Sequence, residues 1–222
     1  MSEYNQEQSE AIMMVQHHLE RLSPSDAKNL KTRIRSYLGF RKDVDRFLRC
    51  HFSEVCTEMC YQDNYSACCN REGIITFFAD VVINLLMSKE EEVDRLLGVL
   101  GSPKAGAKCV YLGKAGCLWS VKPIVCEMFL CERARSTVFG DAPDELKAWE
   151  ELKRREKSYT WPDRPVLFDE LEAHFMEKGC DSSLMYCHNS PGLLRVKALA
   201  RKEGETAKAP PFRDEIAVKS DR

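Results

Sequence analysis

The sequence predicts a mainly α-helical fold that is interrupted by irregular, cysteine-rich loops and contains one short β-hairpin. Three observations support this prediction. Apolar residues recur at helical spacing along most of the chain, 11 cysteines are concentrated in a few polar stretches, and a Gly-Lys-Ala-Gly turn lies between two weakly alternating segments. The 222 residues are enough for one substantial domain.

Helices are expected throughout residues 1–49, where apolar positions repeat every three or four residues. Ser23 and Pro24 have the residue types preferred at an N-cap and at the first helical position, so a second helix should begin there. Gly39 is a typical helix terminator and is expected to end that helix. A short third helix should then lead into Cys50.

The first cysteine tract, residues 50–69, is expected to be polar and turn-rich, and the chain should become helical again at about Glu72. Ser88 and Glu91 match a capping box at the start of a further helix, and Gly101 should close it. The Gly-Lys-Ala-Gly turn then predicts a short hairpin, with Cys109 and Cys117 near its two arms.

Composition divides the rest of the chain. Residues 50–131 form a cysteine-cluster region, and residues 132–200 are expected to be a C-terminal helical region packed on it. Residues 201–222 contain few large apolar side chains and are expected to be poorly ordered.

Charge and hydropathy restrict the environment of the protein. The formal net charge of −2 argues against nonspecific nucleic-acid binding, which usually needs a basic surface. The most apolar run, residues 74–87, is 14 residues long, whereas a membrane span needs about 17–25. The N-terminus lacks the basic and apolar regions of a secretory signal. We therefore expect a cytoplasmic protein with no nucleic-acid partner and no membrane span.

The cysteines then point to metal or redox chemistry. A reducing cytosol disfavours structural disulfides, and the odd number of cysteines leaves one thiol over from any complete pairing. Two tracts hold nine of them: residues 50–69 have the spacing C-x5-C-x3-C-x7-C-C, and residues 109–131 have C-x7-C-x8-C-x4-C. Thiolates suit zinc and iron–sulfur clusters, which commonly take four protein ligands. Nine thiols can fill two such sites with one spare, or one site with several bystanders.

The second tract resembles a known family. Its Cys-x-x-Leu opening, the Gly116-Cys117 turn, Trp119, the Lys122-Pro123 pair in place of Arg-Pro, and two final cysteines around Phe129 are similar to the YkgJ-like cysteine-cluster family, described as zinc- or iron-chelating. The paired and doubled cysteines of the first tract resemble that family's first half. The resemblance covers residues 50–131 and implies a bound metal centre. The ligands that it implies are Cys56, Cys60, Cys68, Cys69, Cys109, Cys117, Cys126 and Cys131.

An iron–sulfur cluster, such as [4Fe–4S], is the first choice for this centre, and zinc is the alternative. The chain lacks the C-x2-C knuckles of common zinc modules, and it also lacks the cysteine run of bacterial ferredoxins. Lys122 lies inside the motif, where it is either a donor to cluster sulfur or thiolate that raises the potential, or a surface charge. Cys180, Cys187 and His188 are too few for an independent site, but they could complete one in three dimensions.

Three functional hypotheses follow. The first is an iron–sulfur protein that acts in electron transfer or as an accessory to another enzyme, with a redox or enzyme partner protein. The second is a zinc-stapled interaction module, in which metal supplies folding free energy. The third is a metal-dependent enzyme of unknown substrate, which would need an open coordination position.

Overall fold

Helices account for most of the chain in this computed structural model, which describes residues 2–62, 68–70, 75–102, 106, 108–161 and 166–185. One two-stranded antiparallel hairpin interrupts them. The predicted fold class, mainly α with one short hairpin, is therefore confirmed.

The first two helices begin where their caps predict. Helix α1 spans Glu3–Glu20, and α2 spans Pro24–Arg33. The Ser23 side chain accepts a hydrogen bond from the Asp26 backbone N–H at 3.1 Å, which satisfies one of the orphan donors of α2. The N-terminal boundary of the second helix was thus correctly predicted.

Helix α3 spans Arg35–Phe52, so the prediction that Gly39 ends a helix is wrong. The break lies earlier, at Ile34. Gly39 continues the helix because Tyr37 and Phe40, on either side of it, are both buried in the core, and this packing outweighs the weak helix propensity of glycine.

The first part of the first cysteine tract, residues 50–62, is helical rather than turn-rich. A π-helical segment, Ser53–Gln62, continues directly from α3 and carries Cys56 and Cys60. The prediction of turns is therefore wrong for this part, while residues 63–67 and 71–74, including the expected helix start at Glu72, lie outside the described residues. Residues 75–77 are not helical.

Helices α4 and α5 span Phe78–Met87 and Glu90–Gly101, so Gly101 ends α5 as predicted. Only the carboxylate half of a capping box forms, one residue later than the predicted pair. The Glu92 carboxylate accepts from the Lys89 backbone N–H at 2.8 Å, while the Ser88 hydroxyl donates to Ser120 at 3.0 Å.

The hairpin consists of β1, Leu112–Gly113, and β2, Gly116–Cys117, with Leu112 paired to Cys117. Four helices follow and end in a 3-10 turn. They are α6 (Ile124–Met128), α7 (Glu132–Phe139), α8 (Pro143–Thr160) and α9 (Leu167–Met176), and the turn is Ser183–Met185.

Helix α4 lies at the centre of the described core. It is apolar on nearly every side, and it packs against α1 and α9, while α3 packs against α8. In the part of the chain described here, no helix combines the length and apolar character needed to cross a membrane. The predicted tail, residues 201–222, lies outside the described residues, as do Cys187 and His188.

Candidate metal centre

Two polar residues on α4 hold the loop that precedes the last cysteines. Asp80 Oδ1 accepts a hydrogen bond from the Ile124 backbone N–H at 3.0 Å, and Asn84 Oδ1 accepts one from the Val121 N–H at 2.9 Å. Both side chains are buried, and burial raises the pKa of Asp80 to about 7. The polar exceptions in the apolar helix therefore fix the entry to α6, which carries Cys126.

A buried arginine on α3 holds the same loop from the other side. Arg41 donates to the Tyr37 hydroxyl and to the Lys122 carbonyl, both at 2.8 Å, and its guanidinium lies 3.9 Å from Glu127 Oε2. The Glu127 carboxylate also pairs with Lys122 Nζ at 3.1 Å. Because Arg41 and Glu127 are buried, their contacts restrict the loop more than surface pairs would, whereas Lys122 is about half exposed.

Among the residues that the structure describes, three contacts join the two cysteine tracts and their flanks. The Cys109 backbone N–H donates to the Cys69 carbonyl at 2.9 Å, and the next residues outward, Asn70 and Lys108, form an antiparallel bridge. At the end of the π-helical segment, the Tyr61 hydroxyl donates to the Gly113 carbonyl in the hairpin at 3.0 Å. The tracts are about 40 residues apart in the sequence but adjacent in the fold.

The adjacent cysteines Cys68 and Cys69 share a side-chain hydrogen bond. Donation from Cys68 lowers the pKa of Cys69, and the same bond, with desolvation, raises the pKa of Cys68. The charges of Cys109, Cys117 and Cys126 act on Cys69 in the opposite sense. The Cys69 thiol therefore lies near three thiols of the second tract.

The second-tract thiols also act on one another. Desolvation, followed by the charges of Cys109 and Cys117, raises the pKa of Cys126 to about 12. Desolvation and the charge of Cys117 raise the pKa of Cys109 to about 11, against hydrogen bonds from backbone N–H groups. Desolvation also raises the pKa of Cys117. These shifts indicate sulfur atoms that converge on one region.

A second neighbourhood of thiols surrounds the π-helical segment. Desolvation, followed by the charges of Cys68, Cys131 and Cys60, raises the pKa of Cys56 to about 11. Cys56 and Cys60 are four residues apart, which places them about one turn from each other along the helix. Cys68 belongs to both neighbourhoods, because its charge also acts on Cys109 and Cys126.

The thiols of this region are near one another, but they do not form a ready metal site. Among the described residues, no three His, Cys, Asp or Glu side chains are arranged so that they could already hold one metal ion. The cysteines of both tracts are exposed or half-buried. The donor set fits a thiophilic metal by its chemistry, and ligation would require the thiols to reorient.

Lys122 lies beside the thiols as well as beside Glu127. Its charge lowers the pKa of Cys117 and of Cys68, in both cases against larger effects of opposite sign. The ion pair with Glu127 was not predicted from the sequence. It joins the Lys122 cation to a carboxylate five residues later, on the first turn of α6.

Four other candidates are not placed in this region by the described residues. Cys50 is exposed on α3. Cys180 is half-buried, and its pKa is raised by desolvation alone, with no effect from another thiol. Cys187 and His188 lie outside the described residues.

Sequence reasoning missed the residues that position the centre. Asp80 and Asn84 were visible as polar residues in an apolar run, which is the signal that could have identified them. Arg41 gave a similar signal, because it lies beside Phe40 on the apolar face of α3. Pairing each of these with the loop at residues 121–124 required the three-dimensional fold.

Comparison of the chain with protein-family models, with curated proteins and with solved structures finds no match in any of the three.

Proposed function

We propose that the protein binds metal through cysteine thiolates, with an iron–sulfur cluster as the first choice. The observation that supports this most directly is the backbone hydrogen bond from the Cys109 N–H to the Cys69 carbonyl at 2.9 Å, which brings Cys69 to the tract that also holds Cys117 and Cys126. These four thiols come from both tracts, and four thiolates are the usual ligand set of a cluster or a structural zinc.

The two neighbourhoods of thiols suggest two centres. Cys69 is affected by Cys109, Cys117 and Cys126, whereas Cys68 also affects Cys56, so the two adjacent thiols can serve different sites. The first proposed ligand set is Cys69, Cys109, Cys117 and Cys126, and the second is Cys56, Cys60, Cys68 and Cys131.

The cellular role that we propose is electron transfer or support of another enzyme. Thiolates bind soft or borderline metals, and a cluster near the surface could exchange electrons with a partner protein. When bound, the cluster would supply the electron chemistry, while Lys122 would place a cation close to the ligands and favour the reduced state. The resemblance to the YkgJ-like family supports a metal centre and remains a prediction. We also propose a cytoplasmic location, because a reducing compartment keeps cysteine thiols reduced and able to bind metal.

The test is metal analysis and an absorption spectrum of protein purified without oxygen. An iron–sulfur protein should be brown, contain iron and sulfide, and lose its visible absorption on reduction. Replacing Cys109 with Ser should remove most of the metal of the first ligand set. The matched control is Cys180→Ser, which changes an isolated thiol and should leave the metal content unchanged.

Zinc is the alternative, and the same measurements separate it. Colourless protein with stoichiometric zinc would replace the iron–sulfur proposal by a zinc-stapled module, which a chelator should destabilise. A metal-dependent enzyme would need a ligand position left open to substrate. Protein that contains no thiol-bound metal after anaerobic purification and reconstitution would contradict all three.

A further inference from the structure

A cavity of about 620 Å³ opens between the first turns of α3 and the loop before α6. Arg35, Leu38 and Gly39 line it from α3, while Trp119 and Lys122 line it from the loop. A volume of this size lies within the range of about 300–1,000 Å³ that is typical of small-molecule sites. We refer to it as the basic cavity, because cationic side chains outnumber carboxylates in its lining.

The basic cavity carries an excess of positive charge. Its lining includes four cationic side chains, Arg35, Arg41, Lys42 and Lys122, against two carboxylates. Both carboxylates are already neutralised. Asp45 pairs with Arg49 at 2.7 Å, and Glu127 pairs with Lys122 and Arg41.

Arg35 and Lys42 therefore provide the unneutralised charge. Neither makes an ion pair with any residue in the described part of the chain, and both are on the exposed side of α3. Seven residues apart on one helix, they lie two turns from each other on the same face. An anionic group between them would meet two cations whose charge the protein itself does not offset.

The remaining walls of the basic cavity are mainly apolar. Leu38 lies on one side, and Trp119 and Val121 lie on the other. Met87, at the end of α4, also lines the cavity and leaves 46% of its surface exposed. Leu38, Val121 and Met87 are partly exposed and would gain from contact with an apolar group, because burying their exposed area removes it from water, whereas Trp119 is already buried.

We propose that the basic cavity binds a small organic anion, in which a carboxylate or phosphate group is joined to an aromatic or aliphatic body. The anionic group lies between Arg35 and Lys42, and the body packs against Leu38, Met87 and Trp119. This inference is independent of the proposed metal centre, since none of its contacts is a cysteine. Lys122 nevertheless lies between the two sites, so that a bound anion would change the field at Cys117.

Isothermal titration of the purified full chain tests the proposal. Phenyl phosphate and phenylacetate serve as probes for the two head groups. Inorganic phosphate represents an anionic part alone, and phenol represents an aromatic part alone. At least one of the two organic anions should bind about tenfold more tightly than either part, because charge and apolar contact are used together. The tighter of the two identifies the head group. Equal or undetectable binding of all four would overturn the proposal.

Gly39 offers a sharp variant, because a Cβ atom added there meets no heavy atom within 4 Å outside its own helix backbone. Gly39→Leu should fill the basic cavity and abolish binding of the organic anion. The matched control is Gly98→Leu in α5, another helical glycine with nothing within 4 Å, and it should bind as the unchanged protein does. Both changes raise helix propensity, and circular dichroism checks that both variants are folded.

Removing charge provides the second variant. The double substitution Arg35→Ala with Lys42→Ala should weaken binding by about tenfold or more, since both partners of the anionic group are lost. Lys28→Ala with Lys31→Ala removes the same charge from α2, outside the cavity, and should leave affinity within about twofold. Binding that survives both Gly39→Leu and the Arg35, Lys42 double substitution would place the anion elsewhere and refute the inference.

Discussion

At the residue scale, Asp80 shows how a buried carboxyl group can organise a loop. Its side chain accepts from the Phe77 N–H at the start of α4 and from the Ile124 N–H at the start of α6. Each of these backbone groups needs an acceptor, because a helix does not satisfy its own first N–H groups. One side chain thus caps two helix starts, and it places α6 relative to α4.

Replacing Asp80 with Ala should lower the free energy of unfolding by about 2 kcal/mol, since two backbone donors lose their acceptor. Urea denaturation followed by circular dichroism measures this change. Asp94→Ala on the exposed side of α5 is the control and should change stability by less than about 0.5 kcal/mol. Equal effects of the two substitutions would contradict the role given to Asp80.

The candidate ligands could be predicted from the sequence because cysteine is chemically distinctive and its clustering in polar stretches is unusual. The residues that hold the neighbouring loop in place could not be predicted in this way. Asp80, Asn84 and Arg41 each have ordinary alternatives, namely a cap, a solvated side chain or a surface charge. Only the fold shows that all three contact one loop, residues 121–124.

At the element scale, α3 shows tertiary packing overriding local preference. Tyr37 and Phe40 lie on both sides of Gly39 and contact the Tyr159 ring on α8, with ring centroids 5.3 and 5.4 Å away. These contacts require helical spacing through the glycine. A sequence rule that ends helices at glycine has no information about α8, and for that reason it failed here.

The capping box failed for a different reason. Ser88 and Glu91 have the residue types of a capping box. In the structure, however, Lys89 and Glu92 occupy these positions, although lysine is not a typical cap residue. The Ser88 hydroxyl donates instead to Ser120 at the end of the hairpin region. Boundaries that depend on one long-range hydrogen bond can shift by a residue, whereas Gly101 and Ser23, whose roles are local, were placed correctly.

The hairpin turn depends on Gly116, whose φ of +105° is rarely adopted by other residues. Gly116→Ala should therefore destabilise the protein by about 1–3 kcal/mol. It should also reduce retention of the proposed metal, because it displaces the neighbouring Cys117. Thermal denaturation and metal analysis measure the two effects.

Gly98→Ala is the comparison for that change, since Gly98 lies within α5 at ordinary φ and has open space around it. It should raise stability by up to about 1 kcal/mol, because alanine has the higher helix propensity. A hairpin that tolerates alanine at residue 116 as well as α5 does at residue 98 would mean that the turn conformation is not required.

At the scale of the whole molecule, helical periodicity predicted the fold class because a mainly helical chain reveals its core locally. The arrangement of the helices was not predicted, since it depends on contacts between distant segments. Helix α4 packs between α1 and α9, which brings the first and last described α-helices close together. His18 at the end of α1 and His174 near the end of α9 meet there, with their Nε2 atoms 3.2 Å apart.

This histidine pair makes stability depend on pH. Burial, followed by the charges of His174 and Lys178, lowers the pKa of His18 below 6.5. Burial, followed by the charges of Arg33 and Lys178, also lowers the pKa of His174, against smaller opposite effects of Glu177 and Asp26. The unfolded chain therefore binds protons at a higher pH than the folded one. Stability from this contact is present above pH 6.5 and is lost as the pH falls through the lowered values.

Replacing both His18 and His174 with Gln should remove this part of the pH dependence, because an amide does not titrate and cannot gain charge at the interface. The melting temperature of the unchanged protein should fall by several degrees more than that of the double variant between neutral and mildly acidic pH. His17→Gln is the control, since it removes an exposed histidine from the same last turn of α1 and should keep the original pH profile. Parallel profiles for all three proteins would mean that protons bound at the meeting of α1 and α9 do not affect folding. If the melting temperature of the double variant alone falls less in acid, the pH dependence arises from the contact between these two helices.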